Sequence, residues 1–575
     1  MGGVCSRKRD QQQVNEETLN RRVSGRYISK CLGSSLNVSS LDASQGKQCI
    51  PSLIDLCIHK IQKDIDKYAS FTMLPRDMIQ LIFNDLVCSL CLTNSLFEAF
   101  RECSLQDLNL SDYPGVNDRW MDVVVSQGSS LLSVDLSGTD VTDAGLFHLK
   151  DCVNLQALNF SYCYHISDKG LQNLKGLSNL TTLSFKRSGL ITSQGLSLVS
   201  GLSNLANLDL ERCSKIHGAL VHIKGLSKLE SLNLNCCTCI NDADMKPLSG
   251  LINLKSFQIA FTKVTDKGLA LLKDLKKLAL VNMEGCSVTA ACLETLAAFD
   301  ALSYLNLSRC NLTDDGCNKI SRLQSLKVLN LCFNKISSAI LVHLKGLTNL
   351  ENLNLDSCRI NDEGMTHLSG LSRLKSLVLS DTYVGSSGLR HLSGLHNLES
   401  LNLSFTIVSD GGLRKLSGLL SLKSLNLDAR QITDAGLAAL TSLTELRHLD
   451  LFGARITDSG TGFLQCFTNL QSLEICGGGL TDVGVENIKG LVSLTLLNLS
   501  QNNHLTDKSL EFISGLVQLV SLNMSNSRVT GTGLLHLKTL KNLRSLTLES
   551  SKVTAGDIKK LHVTYLPHLV SFRPE

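Results

Sequence analysis

Two groups of metal-binding side chain types are visible in the sequence. Residues 236–239 include three cysteines, and His343, His367 and His391 follow one another at intervals of 24 residues. Thiolates and imidazoles are zinc ligands, but a structural zinc site needs four converging donors. The cysteine run has no second Cys-x-x-Cys pair nearby, and the even histidine spacing predicts a column with one member per repeat. We therefore predict no metal site.

Other catalytic chemistry is not indicated either. The sequence has no P-loop, no kinase motif set, no nucleophile elbow and no His-Glu-x-x-His pair. We expect a protein that is not an enzyme, that uses no cofactor and that has no small-molecule substrate.

The N-terminal residues predict a covalent lipid modification. They match the N-myristoylation pattern at Gly2, and Cys5 is a candidate for palmitoylation. One myristoyl chain binds bilayers only marginally, so a second signal is needed for stable attachment. Cys5 supplies one, and Arg7, Lys8 and Arg9 supply an electrostatic one on an anionic leaflet. The alternative is an unmodified polar tail. We expect a cytoplasmic protein attached to the inner face of the plasma membrane.

The charge distribution separates this tail from the rest of the chain. Of 56 basic and 52 acidic residues, seven basic and three acidic ones lie in residues 1–30, which leaves 49 of each in the remainder. A neutral body argues against nucleic-acid binding, which requires a basic surface. The N-terminus is polar, and no apolar run is long enough to span a bilayer. The 21 cysteines are therefore expected to be thiols in a reducing compartment.

The elements that must position any functional residue come from an internal repeat of 24, occasionally 25, residues. About nineteen copies of Leu-x-x-Leu-x-Leu run from Leu105 to Leu543 and beyond. Alternating Leu353 and Leu355 predict a strand with one buried face. Thr-Asp pairs such as Thr433–Asp434 predict the start of a short helix, and Gly370 is expected to end one in the left-handed conformation. Such units must stack to bury their apolar faces.

The spacing and the Cys-x-Ile-Thr-Asp-x-Gly-Leu core resemble the cysteine-containing leucine-rich repeats of the F-box family, typical of plant proteins. The class cysteine is matched at Cys163, Cys213, Cys237, Cys286, Cys310 and Cys358. From Thr382 onward the match becomes looser. The resemblance implies an α/β horseshoe solenoid, with parallel strands on the concave face and short helices on the convex face.

A segment before the repeats is similar to the first helix of an F-box. Its matching residues are Leu74, Pro75, Met78, Ile79, Ile82, Phe83 and Leu86. The resemblance implies docking to a Skp1-type adaptor of an SCF ubiquitin ligase. However, the later Val-Cys-x-x-Trp element is missing, and the segment is short for an F-box. The alternative is an amphipathic cap over the open end of the array.

A partner protein is expected on the strand side. Asn recurs there in ten of the eighteen regular repeats, which on its own is consistent with a solvated surface. Two or three residues after this position, some repeats carry larger side chains: Tyr162, Lys186, Arg187, Glu211, Arg212, Phe261 and Arg309. Aromatic and arginine residues are the types that dominate interface energies. We interpret them as a partner footprint, with ordinary surface variation as the alternative.

These observations divide the chain into a lipidated basic tail (1–50), a helical cap or F-box-like segment (51–104) and a repeat solenoid with a C-terminal cap (105–575). The predicted function is protein binding, as the substrate receptor of an SCF-type ubiquitin ligase in protein degradation. The alternative is a membrane-tethered scaffold or signalling adaptor.

Overall fold

The computed structural model describes residues 56–573, apart from 57, 59, 62, 63, 65, 66 and 429. These residues form two compact units. The first ends at Lys263 and the second begins at Val264.

The first unit is built on short parallel strands that follow one another in chain order. They are β1 (Asp107–Asn109), β2 (Ser133–Asp135), β3 (Ala157–Asn159), β4 (Thr182–Ser184), β5 (Asn207–Asp209), β6 (Ser231–Asn233) and β7 (Ser256–Gln258). Each pairs in parallel with the next, so that Leu108 lies opposite Val134 and Val134 opposite Leu158.

The second unit continues the same plan. Its strands are β8 (Leu280–Asn282), β9 (Tyr304–Asn306), β10 (Val328–Asn330), β11 (Asn352–Asn354), β12 (Ser376–Val378), β13 (Ser400–Asn402), β14 (Ser424–Asn426), β15 (His448–Asp450), β16 (Ser472–Glu474), β17 (Leu496–Asn498), β18 (Ser521–Asn523), β19 (Ser545–Thr547) and β20 (Ser571–Arg573). Successive strands from β8 to β20 are again parallel.

Short helices return the chain from one strand to the next. The α-helices of the first unit are α1 (Arg76–Cys88), α2 (Asn94–Glu98), α3 (Met121–Ser126), α4 (Asp143–Leu146), α5 (Asp168–Leu171) and α6 (Ser193–Val199). Those of the second are α7 (Asp266–Ala270), α8 (Cys292–Leu296), α9 (Leu341–Leu344), α10 (Asp410–Leu413), α11 (Asp434–Ala438), α12 (Asp458–Thr461), α13 (Asp482–Ile488), α14 (Asp507–Ile513) and α15 (Ala555–Thr564).

Many return segments are 3₁₀ helices instead. They are Asp118–Trp120, Gly128–Ser130, Phe147–Asp151, Gln172–Leu174, Ala219–His222, Asp242–Asp244 and Lys246–Gly250 in the first unit, and Cys317–Arg322, Ser338–Ile340, Gly364–Leu368, Gly388–Leu392, Arg414–Leu416, Gly462–Cys466 and Gly533–Thr539 in the second. Within the described ranges, no helix has the length and apolar character needed to cross a membrane.

The leucines of the repeat form the core, as predicted. Leu353 and Leu355 are buried on either side of Asn354, and Leu350, two residues before β11 begins, is buried as well. Apolar residues at the same three positions are buried in the other described repeats. A single repeat is too small to cover them, so they are buried between neighbouring repeats.

The class cysteines use their thiols to satisfy backbone carbonyls of the preceding repeat. The Cys163 thiol donates to the Leu136 carbonyl at 3.0 Å, and the Cys358 thiol donates to Leu331 at 3.3 Å. Burial raises the pKa of Cys163 to about 11 and that of Cys358 to about 12. In the looser repeats another small donor takes this role, as when the Asn502 amide donates to the Ile475 carbonyl at 2.9 Å.

The Thr-Asp-x-Gly motif joins successive repeats. Thr433 caps α11 by accepting the Ala435 N–H, which confirms the predicted helix start. The motif aspartate links its repeat to the next one. The Asp410 carboxylate accepts the backbone N–H of Thr433, in the following repeat, at 2.8 Å and the Thr433 hydroxyl at 2.6 Å. The motif glycine leaves room for this carboxylate, because a Cβ on Gly436 would overlap Asp410.

The N-terminal end of the first unit is covered by α1. The Gln80 side chain donates to the Asp107 carbonyl at 2.6 Å and accepts the N–H groups of Gln106 and Asp107 at 3.1 and 3.2 Å. It thereby replaces a strand at the open edge of β1. Phe83 of α1 packs in an aromatic cluster with Phe97 and Phe100, with ring centroids 6.0 and 5.6 Å away.

Candidate protein-binding surface

Among the described residues, one position in each repeat has left-handed backbone geometry. It lies three residues after the strand, and we call these positions the left-handed column. Its members have φ between +50° and +74°, as at Tyr162 (63°), Arg187 (62°) and Gly453 (73°). The N–H of most members donates to a carbonyl of the following repeat, as the Tyr162 N–H does to Lys186 at 2.7 Å. Gly370, by contrast, lies outside the left-handed region, so the prediction that it ends its helix in this conformation is wrong.

The recurring Asn at the strand end prepares this turn. The Asn159 carboxamide oxygen accepts the Ser161 N–H at 3.0 Å, and Asn233 accepts the Asn235 N–H in the same way. This bond, which forms an Asx turn, directs the chain into the left-handed residue that follows. Much of the Asn column is therefore explained by the geometry of the turn.

Five of the predicted footprint residues occupy the left-handed column. They are Tyr162, Arg187, Arg212, Phe261 and Arg309. For a residue other than glycine this conformation costs about 1–2 kcal/mol. Other repeats place glycine there, as at Gly138 and Gly285, so the fold does not require a large side chain. Strain that the fold does not require is a reason to suspect a function.

The footprint residues of β3 to β5 contact one another, and we call them the first-unit cluster: Tyr162, Lys186, Arg187, Glu211 and Arg212. The Arg187 guanidinium lies over the Tyr162 ring at 5.3 Å. The Lys186 ammonium is 2.8 Å from the Glu211 carboxylate, and Arg212 approaches the same carboxylate at 3.8 Å. The side chains are half-buried or, at Arg212, exposed.

The electrostatics of the cluster favour a charged lysine. Burial alone would lower the pKa of Lys186, but the hydrogen bond to Glu211 and the nearby carboxylates outweigh it and raise the pKa. Asp209, at the end of β5, has its pKa raised by burial. The cluster thus presents two arginines and a paired lysine on a surface with an aromatic ring.

The other two predicted residues lie apart from this cluster in the chain. Phe261 is exposed near the end of the first unit. Arg309 belongs to the second unit, where its guanidinium stacks over the Phe333 ring at 3.9 Å and lies 3.5 Å from Glu284. Phe333 and Phe405 also occupy the left-handed column and are exposed. Neither phenylalanine was among the predicted footprint residues, although each lies three residues after a predicted strand.

The residues of the F-box-like match divide into two sets. Ile79, Ile82, Phe83 and Leu86 are buried in the core of the first unit and are covered by this chain itself. Leu74 and Met78 are half-buried and Pro75 is exposed, at the start of α1. Met73, just before them, has 94% of its surface exposed.

The remaining predicted sites give less information. Gly2, Cys5, Arg7, Lys8 and Arg9 lie outside the described residues. Among the residues that the structure describes, no group of three or more Cys, His, Asp or Glu side chains could hold a metal ion. Within residues 236–239, the Cys237 thiol instead donates to the Leu210 carbonyl at 3.0 Å.

Comparisons with known proteins address the fold. One family model described as leucine-rich repeat matches residues 300–360 and 468–529. A second, described in the same way, matches residues 129–149, 151–175, 225–249, 394–417 and 442–461. No curated protein matches the chain significantly.

Several solved structures resemble the chain at low identity. An internalin of Listeria monocytogenes is 20% identical and covers 72% of this chain and 90% of its own, with a TM-score of 0.36. A leucine-rich-repeat protein of Leptospira interrogans is 21% identical (77% and 95% covered, TM-score 0.41). The TLR13–ssRNA13 complex is 22% identical (82% and 70% covered, TM-score 0.46). The matched repeats and the parallel strands confirm the predicted fold class, a leucine-rich-repeat solenoid of strands and short helices.

Proposed function

We propose that this leucine-rich-repeat chain is a non-catalytic protein-binding module that contacts its partner through the first-unit cluster. One observation carries the proposal: Tyr162, Arg187 and Arg212 hold strained left-handed positions in which other repeats have glycine. Glycine relieves this strain in other repeats, so folding does not require a large side chain there. Aromatic and arginine side chains gathered on one partly exposed surface are the composition of interface hot spots.

Charge reversal within the cluster tests this proposal. The double variant Arg187→Glu/Arg212→Glu is compared with the native chain by cross-linking and mass spectrometry of proteins bound in cells. We expect at least one native partner to lose about 90% of its signal, which corresponds to a hot-spot loss of about 1.4 kcal/mol or more. Two exposed lysines on the helix side of the same unit give a matched control, Lys175→Glu/Lys224→Glu, with an identical change in charge.

The control variant should retain the full set of partners. If the cluster variant also retains every partner while remaining folded, the cluster is not the contact surface. A loss shared equally by both variants would mean that net charge, not the cluster, determines binding.

A second candidate function is favoured by the apolar residues at the start of α1. Met73, Leu74, Pro75 and Met78 retain exposed surface, and the resemblance to an F-box suggests that they dock a Skp1-type adaptor. The chain would then be the substrate receptor of an SCF-type ubiquitin ligase. Co-purification of the full chain with the adaptor, lost in Leu74→Ala/Pro75→Ala, would support this role. An intact chain that never co-purifies with the adaptor would remove it.

The acylation pattern at Gly2 and Cys5, with Arg7, Lys8 and Arg9, supports a proposal about location. The module would act as a tethered scaffold at the cytoplasmic face of the plasma membrane. Fractionation of cells expressing Gly2→Ala tests it, since one lost lipid should release most of the protein from membranes. Equal membrane association of variant and native chain would contradict the tether.

A further inference from the structure

The second unit carries an exposed apolar patch that the first-unit cluster does not include. We define it by Tyr383, Phe405 and Ile407. The exposed fraction of these residues is 65% at Tyr383, 62% at Phe405 and 58% at Ile407. Phe405 belongs to the left-handed column. Tyr383 and Ile407 each lie two residues after that column in adjacent repeats. Their N–H groups donate to Ile360 and Val384 of the preceding repeats at 2.8 and 3.2 Å, which fixes both backbones.

The fold does not account for these side chains. The left-handed column of the same unit holds glycine at Gly453 and Gly477, with no loss of the strand ladder. An aromatic residue at Phe405 therefore adds apolar surface that the repeat does not need and that water contacts. Exposed apolar residues that are grouped rather than scattered mark an interaction site.

Charge next to the patch indicates what kind of partner fits. On the strand side lie the carboxylates of Asp356 and Asp381, which accept the hydroxyls of Ser380 and Ser357 at 2.7 and 3.1 Å. Among the described residues, neither forms an ion pair with a lysine or arginine. Exposed arginines border the patch on its loop side: Arg359 holds the position in its repeat that Tyr383 and Ile407 hold in theirs, and Arg430 lies in the repeat after Phe405.

The lysines on the other side of these strands are already paired. Lys375 lies 2.8 Å from Glu351, and Lys423 lies 2.7 Å from Glu399. These two lysines therefore do not pair with Asp356 or Asp381. A ligand that covers the patch and carries positive charge on its strand side therefore complements these two carboxylates.

We propose that this patch binds a segment of another protein that carries lysine or arginine beside a large apolar side chain. The apolar side chain lies against Phe405 and Ile407, and the cation lies over Asp381. This surface is separate from the first-unit cluster, so either one can be lost without the other.

The test uses the full chain and a random peptide library displayed on phage. Peptides are selected on the native chain and counter-selected on Phe405→Ser/Ile407→Ser. We expect the surviving peptides to be enriched in lysine or arginine next to aromatic or large aliphatic residues. A selected peptide, labelled and measured by fluorescence anisotropy, should bind Phe405→Ser and Asp381→Lys about tenfold more weakly than the native chain. Higher salt should weaken its binding to the native chain.

Three variants keep the result interpretable. Val483→Ser removes an equally exposed apolar residue near a helix start and should leave peptide affinity unchanged. Arg187→Glu/Arg212→Glu in the first unit should also leave it unchanged. Phe405→Gly should weaken the peptide as Phe405→Ser does while the chain stays as stable as the native one, because glycine tolerates φ of 54°.

The proposal is overturned if no peptide distinguishes the native chain from the double variant, or if the distinguishing peptides are neutral or acidic. It is also overturned if analytical ultracentrifugation shows that the native chain self-associates and that Phe405→Ser/Ile407→Ser abolishes this. The occupant would then be a second copy of the chain.

Discussion

At the residue scale, the left-handed column links backbone geometry to function. Most non-glycine residues avoid positive φ, and those that adopt it raise the energy of the folded state. Arg212 does so at 61°, and the ion pair that its side chain forms within the described part of the chain is a long one, 3.8 Å from Glu211. The fold gains little from this arginine, so removing it isolates the backbone contribution.

We predict that Arg212→Gly leaves the free energy of unfolding unchanged or raises it by up to about 1 kcal/mol, the relief of strain less the entropy cost of glycine. Arg212→Val should lower it by about 1–2 kcal/mol, because a β-branched residue tolerates positive φ least. Urea denaturation measures both. If the glycine variant were less stable than the valine variant, the arginine would have a structural role that its contacts do not reveal.

The buried cysteines predict how stability depends on alkaline pH. Burial raises the pKa of Cys213 from its ordinary value of 9.0 to about 12. A thiol with a raised pKa stabilises the folded state fully below pH 9, and this contribution is lost as pH rises from 9 towards 12. The loss approaches about 1.4 kcal/mol per pH unit for one such thiol.

The free energy of unfolding of Cys213→Thr should therefore fall less steeply above pH 9 than that of the native chain. Threonine serves at the same position in Thr382, where its hydroxyl donates to the Leu379 carbonyl at 2.6 Å without ionising. Urea unfolding of the variant and the native chain from pH 7 to about 11 gives the comparison. Parallel curves for the two proteins above pH 9 would show that Cys213 does not titrate with unfolding.

At the element scale, the helix starts are tied to neighbouring repeats by aspartates. Asp434 accepts the N–H and the hydroxyl of Thr457, and Asp482 does the same for Thr506. Burial opposes ionisation of Asp482, but the hydrogen bonds from Ser509 and Thr506 outweigh it and hold its pKa below the usual range. The Asp482 carboxylate thus works as an ionised acceptor between repeats.

The α12 region offers a matched pair of glycines to test this arrangement. A Cβ on Gly460 would overlap the Asp434 carboxylate, whereas a Cβ on Gly462 meets nothing within 4 Å. Gly460→Ala should lower the free energy of unfolding by about 1–3 kcal/mol, the cost of overpacking. Gly462→Ala should be neutral or raise it by about 0.5–1 kcal/mol, because alanine is the better helix former. Equal effects of the two substitutions in thermal or urea unfolding would contradict the packing of Asp434.

Sequence reasoning identifies the repeat, the strands and the helix starts because each depends on residues that are close in the chain. The alternation of Leu353 and Leu355 is enough to define a half-buried strand. From the sequence, Asp434 was expected to cap its own helix. Its actual partner, Thr457, lies in the next repeat, which local sequence does not reveal. Arg187 and Arg212 were selected by residue type. Their positive φ could not be predicted, because neither position carries the glycine that usually indicates left-handed backbone. Phe405 was missed because exposure depends on what the neighbouring repeats leave open.

At the scale of the whole molecule, stacked repeats contact mainly their neighbours, so stability should vary along the chain. The cap illustrates this, since Gln80 and Phe83 of α1 act on β1 and the aromatic cluster beside it. Independently of any adaptor, the buried residues of α1 stabilise the first repeats. The consequence of damaging the cap should therefore depend on distance along the array.

We predict that Phe83→Ala removes about 3–5 kcal/mol of local packing energy, as loss of a buried aromatic ring does. Hydrogen exchange should speed up at the amides of β1 and β2 and fall off through the next strands, leaving β17 to β19 at native rates. A matched control is Phe463→Ala, which truncates a partly exposed ring in the second unit and should leave β1 and β2 protected. A uniform loss of protection from β1 to β19 in Phe83→Ala would mean that the array opens as one cooperative body. The cap would then govern the stability of every strand, because local opening would no longer be cheaper than global unfolding.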